Sequence, residues 1–151
     1  MRSSLALAGF LLLVAVAGAF GAVFQPGAWY AELRKPPLTP PNWLFGPVWT
    51  LLYVGIAVAA WLVWRSRRGG SGPLALWAVQ LVLNALWSWL FFGLQRPGLA
   101  LLDIGALLAL VVATTAAFFR VRTGAGALFV PYVGWVGFAT YLNAGIWLLN
   151  R

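Results

Sequence analysis

Two carboxamides and an indole recur at helical spacing near the middle of the sequence, within the segment "QLVLNALW". Gln80, Asn84 and Trp87 are separated by four and then three residues, which places their side chains on one face of an α-helix. Carboxamides provide hydrogen-bond donors and acceptors, and an indole adds a flat apolar surface. This face could line a ligand pocket, or its amides could bond to neighbouring helices and hold a bundle together.

Aromatic residues with the same spacing occur in two other segments. Trp49 and Tyr53 are four residues apart and share a helical face. A second stripe repeats every four residues and consists of Pro131, Trp135, Ala139 and Asn143, with Tyr132 beside it. Tryptophan often anchors helices at the membrane surface, but Trp49, Trp87 and Trp135 lie well inside apolar segments. Three inward-facing indoles predict a pocket for a large, flat, apolar ligand.

Several kinds of chemistry are excluded by composition. The chain contains no histidine and no cysteine, so histidine-based catalysis, disulfides and thiolate or imidazole metal ligation are absent. We expect no metal site and no obligatory cofactor. The two acids, Glu32 and Asp103, are far apart in sequence, and nothing predicts that they work as a general acid–base pair.

The elements that must position these residues are apolar segments long enough to cross a bilayer. Of the 151 residues, 63% are hydrophobic and 8% charged, whereas soluble domains are roughly 25% charged. A bilayer core needs about 20 apolar residues per helix. Five such runs occur, at residues 5–24, 43–64, 74–95, 99–119 and 127–149. The sequence predicts an all-α membrane protein, a five-transmembrane-helix bundle forming one domain over residues 1–151.

The basic residues fall at the ends of these runs, where they anchor helices and set topology. The net charge is +8, but the bases do not cluster on one soluble face, so no nucleic-acid partner is expected. Six of them share one side of the predicted bundle and four the other, which favours a cytoplasmic amino terminus. The side with six carries Arg2, Arg65, Arg67, Arg68, Arg120 and Arg122, and the other side carries Arg34, Lys35, Arg96 and Arg151.

The connection between the first two runs, residues 25–42, is long and contains most of the segment "WYAELRKPPLTPPNW". Its prolines fix φ and reduce the freedom of the unfolded chain, so the loop can stay ordered without a core of its own. We expect it to form a stiff structure at the membrane surface.

Small residues that recur every four positions predict close helix contacts. The stripe Gly105, Ala109, Ala113 and Ala117 lies in the fourth run, and Gly55 and Ala59 lie in the second. We expect both to pack within the bundle, and the alternative is a homodimer contact.

The sequence resembles the TspO/MBR family, the bacterial relatives of the mitochondrial translocator protein. The resemblance rests on "WYAELRKP", "PPNWLFGPVWTLLY", "QLVLNALWSWLFFG" and "VPYVGWVGFATYLNAGIWLLN", in that order. It implies a five-helix transmembrane bundle, often dimeric, that binds protoporphyrin IX, haem and isoquinoline carboxamides beneath the first loop, which acts as a lid. The implied pocket positions are Tyr30, Pro40, Trp49, Tyr53, Asn84, Trp87, Trp135 and Ala139, to which helical spacing adds Gln80 and Asn143.

The resemblance leaves three functions open. The first is binding of porphyrins or related flat ligands. The second is light- and oxygen-dependent porphyrin breakdown, with Trp49 and Trp135 as the candidate catalytic residues. The third is transport, although no internal repeat supports it. Ala144 and Leu148 stand where mitochondrial members have a cholesterol motif, so sterol binding is not expected. The expected location is a bacterial inner membrane, in contact with lipid.

Overall fold

The computed structural model describes residues 1–151 as an all-α bundle with no β-strand. Its elements are α1 (Arg2–Ala22), α2 (Ala28–Glu32), α3 (Asn42–Ser66), α4 (Gly72–Ser88) with a π-helical turn at Trp89–Gly93, α5 (Pro97–Val121) and α6 (Thr123–Asn150). All except α2 are long and apolar enough to cross a membrane. The predicted fold class is confirmed, and the chain is a multi-pass integral membrane protein.

The helices extend beyond most of the predicted apolar runs because the backbone stays helical into the polar interface. The predicted run 43–64 lies inside α3, which ends at Ser66 and is capped by Arg67 in a left-handed conformation with φ of 50°. Similarly, α6 begins at Thr123, four residues before the predicted run 127–149. Only Arg122, in an extended conformation, separates α5 from α6. In contrast, α1 ends two residues earlier than the predicted run 5–24.

Large side chains make the main packed surface of α5. The pair α5 and α6 has the most extensive contact in the bundle, and α4 packs against α5. Leu107, Val111 and Phe118 of α5 are at most 1% exposed. Because these large side chains occupy the face that packs on α6 and α4, the small residues Gly105, Ala109 and Ala113 lie on a different face of α5.

The two predicted small-residue seams therefore have different outcomes. On α3, Ala59 is fully buried, and a Cβ built on Gly55 would lie 3.6 Å from the Leu128 carbonyl oxygen. Intramolecular packing is confirmed for this seam. On α5 the same prediction is wrong, because most of the stripe is exposed and only Ala117 is half-buried. A contact between two copies at this stripe stays a prediction.

The two ends of the bundle differ in composition. One end, which we call the lid end, contains the proline-rich loop 25–42 with α2 inside it. The opposite end, which we call the arginine end, contains Arg2, Arg65, Arg67, Arg68, Arg120 and Arg122. The indole Nε1 of Trp61 donates to the Ser3 carbonyl at 2.8 Å, and the Arg65 guanidinium lies 4.7 Å from the ring centroid of Trp61. Aromatic and basic anchors of this kind are typical of a membrane surface.

Candidate functional site

A cavity of about 770 Å³ lies below α2, between α1, α3, α4 and α6. Its walls are mostly apolar, and no charged side chain lines it. Ala15 and Ala19 of α1 and Thr50 and Val54 of α3 line the cavity and are exposed. The wall between α1 and α3 is therefore the side of the cavity nearest the lipid.

One wall is a group of aromatic rings on α3 and α6. The Trp49 indole is stacked on the Tyr53 ring, with centroids 5.4 Å apart and an angle of 30° between planes. Trp135 approaches Trp49 edge-on at 6.3 Å and Phe45 at 5.9 Å. The buried Nε1 of Trp135 has no hydrogen-bond partner. This wall offers flat apolar faces to a bound molecule.

A chain of hydrogen bonds runs from the cavity into the core. The Tyr53 hydroxyl donates to Asn84 Oδ1 at 3.0 Å, and Asn84 Nδ2 donates to the Tyr132 hydroxyl at 2.7 Å. The Tyr132 hydroxyl in turn donates to Gln80 Oε1 at 2.7 Å. Tyr53 and Asn84 line the cavity, whereas Tyr132 and Gln80 are fully buried behind it. The chain connects α3, α4 and α6 and fixes the position of the Asn84 amide.

A second polar connection lies nearer the lid. Trp87 Nε1 donates to Asn143 Oδ1 at 2.9 Å, and Asn143 Nδ2 donates to the Pro97 carbonyl at 2.8 Å. Asn143 is 1% exposed, so these bonds form in a dry environment where an unpaired amide would be costly. They hold the Trp87 indole against the cavity and join α4, α5 and α6.

The upper part of the cavity combines the lid with the π-helical turn. Tyr30 of α2 is 5% exposed and packs edge-on against Phe91 and Phe92, at 6.3 and 5.5 Å. Phe91 is stacked on Trp87 at 5.1 Å. Burial raises the pKa of the Tyr30 hydroxyl, so it stays neutral at physiological pH. The Lys35 ammonium lies 4.6 Å from the Tyr30 ring centroid.

The proline-rich segment is fixed to α6 at three places. Asn150 Oδ1 accepts from the Arg34 amide at 2.9 Å, and Asn150 Nδ2 donates to the Arg34 carbonyl at 2.8 Å. The Tyr141 hydroxyl donates to the Pro37 carbonyl at 2.9 Å. A Cβ on Gly145 would lie 2.7 Å from the Pro36 ring, so glycine permits this close approach. The loop 25–42 is thus held over the cavity as a lid.

The structure brings most of the residues predicted for the site together. Those that line the cavity are Tyr30, Trp49, Tyr53, Asn84, Trp87, Trp135, Ala139 and Asn143. Gln80 and Pro40 do not line it. Gln80 lies behind the wall because its Oε1 is bonded to Tyr132, which is the inter-helix alternative read from the sequence. Pro40 is half-buried in the lid segment, away from the cavity surface.

The contribution of α1 was missed by the sequence reading. Ala15, Gly18, Ala19 and Ala22 of α1 line the cavity, and a Cβ on Gly18 would lie 3.1 Å from Tyr53 Cε2. The available signal was the recurrence of small residues at intervals of three and four along the first apolar run.

The neighbouring phenylalanines at the top of the cavity were also missed. Phe91 and Phe92 both line it, and both belong to the π-helical turn. A π-helical turn is rare and has no simple sequence signature.

The fold and the cavity together define a class of protein: a five-helix integral membrane protein with a lid-covered, aromatic and uncharged internal cavity. The chain belongs to the TspO/MBR family, whose model matches residues 10–148.

Known relatives cover nearly the whole chain. It is 44% identical to the tryptophan-rich protein TspO of Chlorobaculum tepidum, across 99% of this chain and 98% of that protein. It is 43% identical to protein CrtK of Rhodobacter capsulatus, across 93% and 90% of the two chains. It is 38% identical to the translocator protein of Bos taurus, across 95% and 89%.

Proposed function

We propose that this TspO-type membrane protein binds a porphyrin, such as protoporphyrin IX or haem, in the cavity under the lid. Isoquinoline carboxamide-like molecules belong to the same group of flat apolar ligands. The observation that carries the proposal is the wall of the 770 Å³ cavity, which combines indole and phenyl rings with a few amides and no charge. Small-molecule pockets commonly measure about 300–1,000 Å³ and have this composition.

In this proposal the aromatic residues provide flat apolar contacts and one amide provides a polar contact. Trp49 and Trp135 on one side and Trp87 and Phe91 on the other present flat faces and edges to a planar ring system. The amide of Asn84 is held in place from both sides by Tyr53 and Tyr132.

The experiment is quenching of tryptophan fluorescence by protoporphyrin IX in neutral detergent. We expect saturable quenching in the wild type and roughly tenfold weaker affinity for Trp135→Phe, because the large indole face that lines the cavity is replaced by a smaller ring. Trp43→Phe is the matched control, since Trp43 is 72% exposed and outside the cavity. Non-saturable quenching, identical in all three proteins, would contradict binding in this cavity and indicate partition into micelles.

A second candidate function is light- and oxygen-dependent breakdown of the bound porphyrin. The observation that favours it is the central place of Trp49, whose ring centroid lies 5.4 Å from that of Tyr53, 6.4 Å from Tyr132 and 6.3 Å from Trp135. In such breakdown the excited porphyrin would lose electrons and dioxygen would accept them, and the indole rings of Trp49 and Trp135 would relay electrons between the two.

Illumination under air and under argon tests this second candidate. We expect a change in the porphyrin absorption spectrum that needs oxygen, is slower in Trp49→Phe and Trp135→Phe, and is unaffected in Trp43→Phe. Equally fast bleaching of free porphyrin would remove the candidate without affecting the binding proposal.

A further inference from the structure

A second cavity, separate from the lid cavity, is a groove on the outer surface between α4 and α5. It has a volume of about 620 Å³ and lies at the arginine end. Its walls are apolar and are formed by Ala75, Leu76 and Val79 of α4 and by Leu110, Ala117 and Val121 of α5. Val79 is 51% exposed and Ala75 is also exposed, while the other four wall residues are half-buried.

The groove runs from the membrane surface into the bilayer. Arg120 lines its outer part, and Leu110 lies ten residues before Arg120 in α5, deeper in the bilayer. Ten helical residues span about 15 Å, which is half of a hydrocarbon core about 30 Å thick. The groove thus has the depth of one leaflet, with a guanidinium at the level of the headgroups.

The mouth of the groove is closed on one side by the turn between α3 and α4. Gly69 of this turn and Gly72, the first residue of α4, line the groove beside Arg120. Gly69 has a φ of 81°, and a Cβ at this position would lie 2.8 Å from Val121 Cγ2. Glycine is therefore required for the turn to lie this close to α5. The result is a groove with a defined end at the membrane surface.

The arginine end is positively charged, which favours the binding of an anionic molecule. The arginine end carries the six arginines named above, and the only two acids of the chain lie elsewhere. Glu32 belongs to the lid, and Asp103 is 17 residues from Arg120 along α5, a distance of about 25 Å. No carboxylate of this chain neutralises the Arg120 guanidinium, and the local field attracts anions.

We propose that this groove binds one anionic phospholipid of the surrounding bilayer, with an acyl chain between α4 and α5 and the phosphate on Arg120. Basic pockets between transmembrane helices are suited to anionic headgroups. Lipid tails complement the apolar walls, and the net negative headgroup complements the six arginines. A second copy of this chain complements them poorly, because its own arginine end would repel this one in a parallel arrangement.

The test is thermal unfolding in neutral detergent during titration with phosphatidylglycerol or with phosphatidylcholine of the same chain length. We expect phosphatidylglycerol to raise the Tm saturably at low molar excess and phosphatidylcholine to have little effect. Arg120→Gln should weaken the apparent affinity for phosphatidylglycerol roughly tenfold or more, because a charge-assisted bond is lost. Arg96→Gln is the matched control, since Arg96 is an exposed arginine at the lid end.

Two further arms test the groove itself. Ala117→Phe keeps every charge but fills the groove, so it should abolish the saturable shift. Glycerol 3-phosphate, which has the anionic group without acyl chains, should give no shift. Equal responses to the two phospholipids, or an unchanged response in Arg120→Gln or Ala117→Phe, would overturn the proposal. Lipid-independent dimerisation that Ala117→Phe abolishes would instead assign the groove to a second copy and also overturn it.

Discussion

Asn84 connects the cavity to the core at the scale of single atoms. Its Oδ1 accepts from Tyr53 and its Nδ2 donates to Tyr132, whose hydroxyl donates to Gln80. Each bond is buried or half-buried between different helices, where lipid tails supply no competing partner. These hydrogen bonds therefore hold the Asn84 amide in one orientation at the cavity wall and also connect three helices of the bundle.

Removal of the Tyr132 hydroxyl should destabilise the bundle. Tyr132→Phe leaves Asn84 Nδ2 and Gln80 Oε1 without this partner in a fully buried place. We expect a loss of about 1–2 kcal/mol in the free energy of unfolding, measured by denaturation in detergent. Tyr141→Phe removes a hydroxyl from a tyrosine that is 43% exposed, so its cost should be clearly smaller. Equal losses in the two variants would mean that the buried hydrogen bonds of Tyr132 stabilise the protein no more than the exposed bond of Tyr141.

Helical spacing predicted the cavity residues that lie on a single helix. Trp49 with Tyr53, and Trp135 with Ala139, share faces because a helix fixes directions at intervals of four. Spacing alone did not show whether Gln80 lines the cavity or lies in the core. Its position in the core is set by a hydrogen bond from Tyr132, which lies 52 residues away in sequence. Contacts between helices are set by packing and close approach, and a single sequence does not encode them as a period.

At the scale of elements, α1 is a wall of the cavity whose small residues make room for Tyr53. Gly18→Val would place a branched side chain where even a Cβ lies 3.1 Å from the Tyr53 ring. We expect it to displace Tyr53 from Trp49 and to weaken protoporphyrin IX quenching several-fold, a loss of roughly 1 kcal/mol. Gly9→Val is the matched control, because nothing lies within 4 Å of a Cβ there. Identical affinity in both variants would contradict a role for α1 in shaping the site.

The lid is an element held by its contacts with α6. Asn150→Ala removes both bonds to the Arg34 backbone and leaves the Tyr141 contact as a partial restraint. We expect hydrogen–deuterium exchange at the Arg34 amide to become roughly tenfold faster, because a local opening then costs about 1–2 kcal/mol less. The control is Arg151→Ala, as the Arg151 guanidinium packs on Trp147 instead of the lid. An unchanged exchange rate in Asn150→Ala would show that other contacts hold the lid closed.

The sequence also predicted the lid only in part. Its prolines indicated a stiff connection, but the anchor at Asn150 is 116 residues away in sequence and has no local signal. The α5 stripe was misread for a related reason. A row of small residues indicates a helix face that can make close contact. Whether that face points into the bundle depends on where the larger side chains of the helix pack, and in α5 these lie on the other face.

At the scale of the whole molecule, the two cavities lie at opposite ends of the bundle, so their functions depend on how the chain is oriented in the membrane. The lid end carries four bases and the arginine end six. Basic residues in short loops are retained in the cytoplasm, which favours a cytoplasmic arginine end. That orientation would place the α4–α5 groove in the leaflet that carries most anionic lipid in many membranes.

The orientation can be measured directly because the chain has no native cysteine. Ser71→Cys puts a thiol in the exposed turn at the arginine end, and Leu38→Cys puts one on the lid, where Leu38 is 81% exposed. With a membrane-impermeant maleimide on intact cells, we expect labelling of Leu38→Cys and protection of Ser71→Cys until the cells are permeabilised. The reverse pattern would place the lid in the cytoplasm and the groove in the outer leaflet. Labelling of both thiols in intact cells would show that the chain inserts in two orientations, as a difference of only two bases between its ends permits.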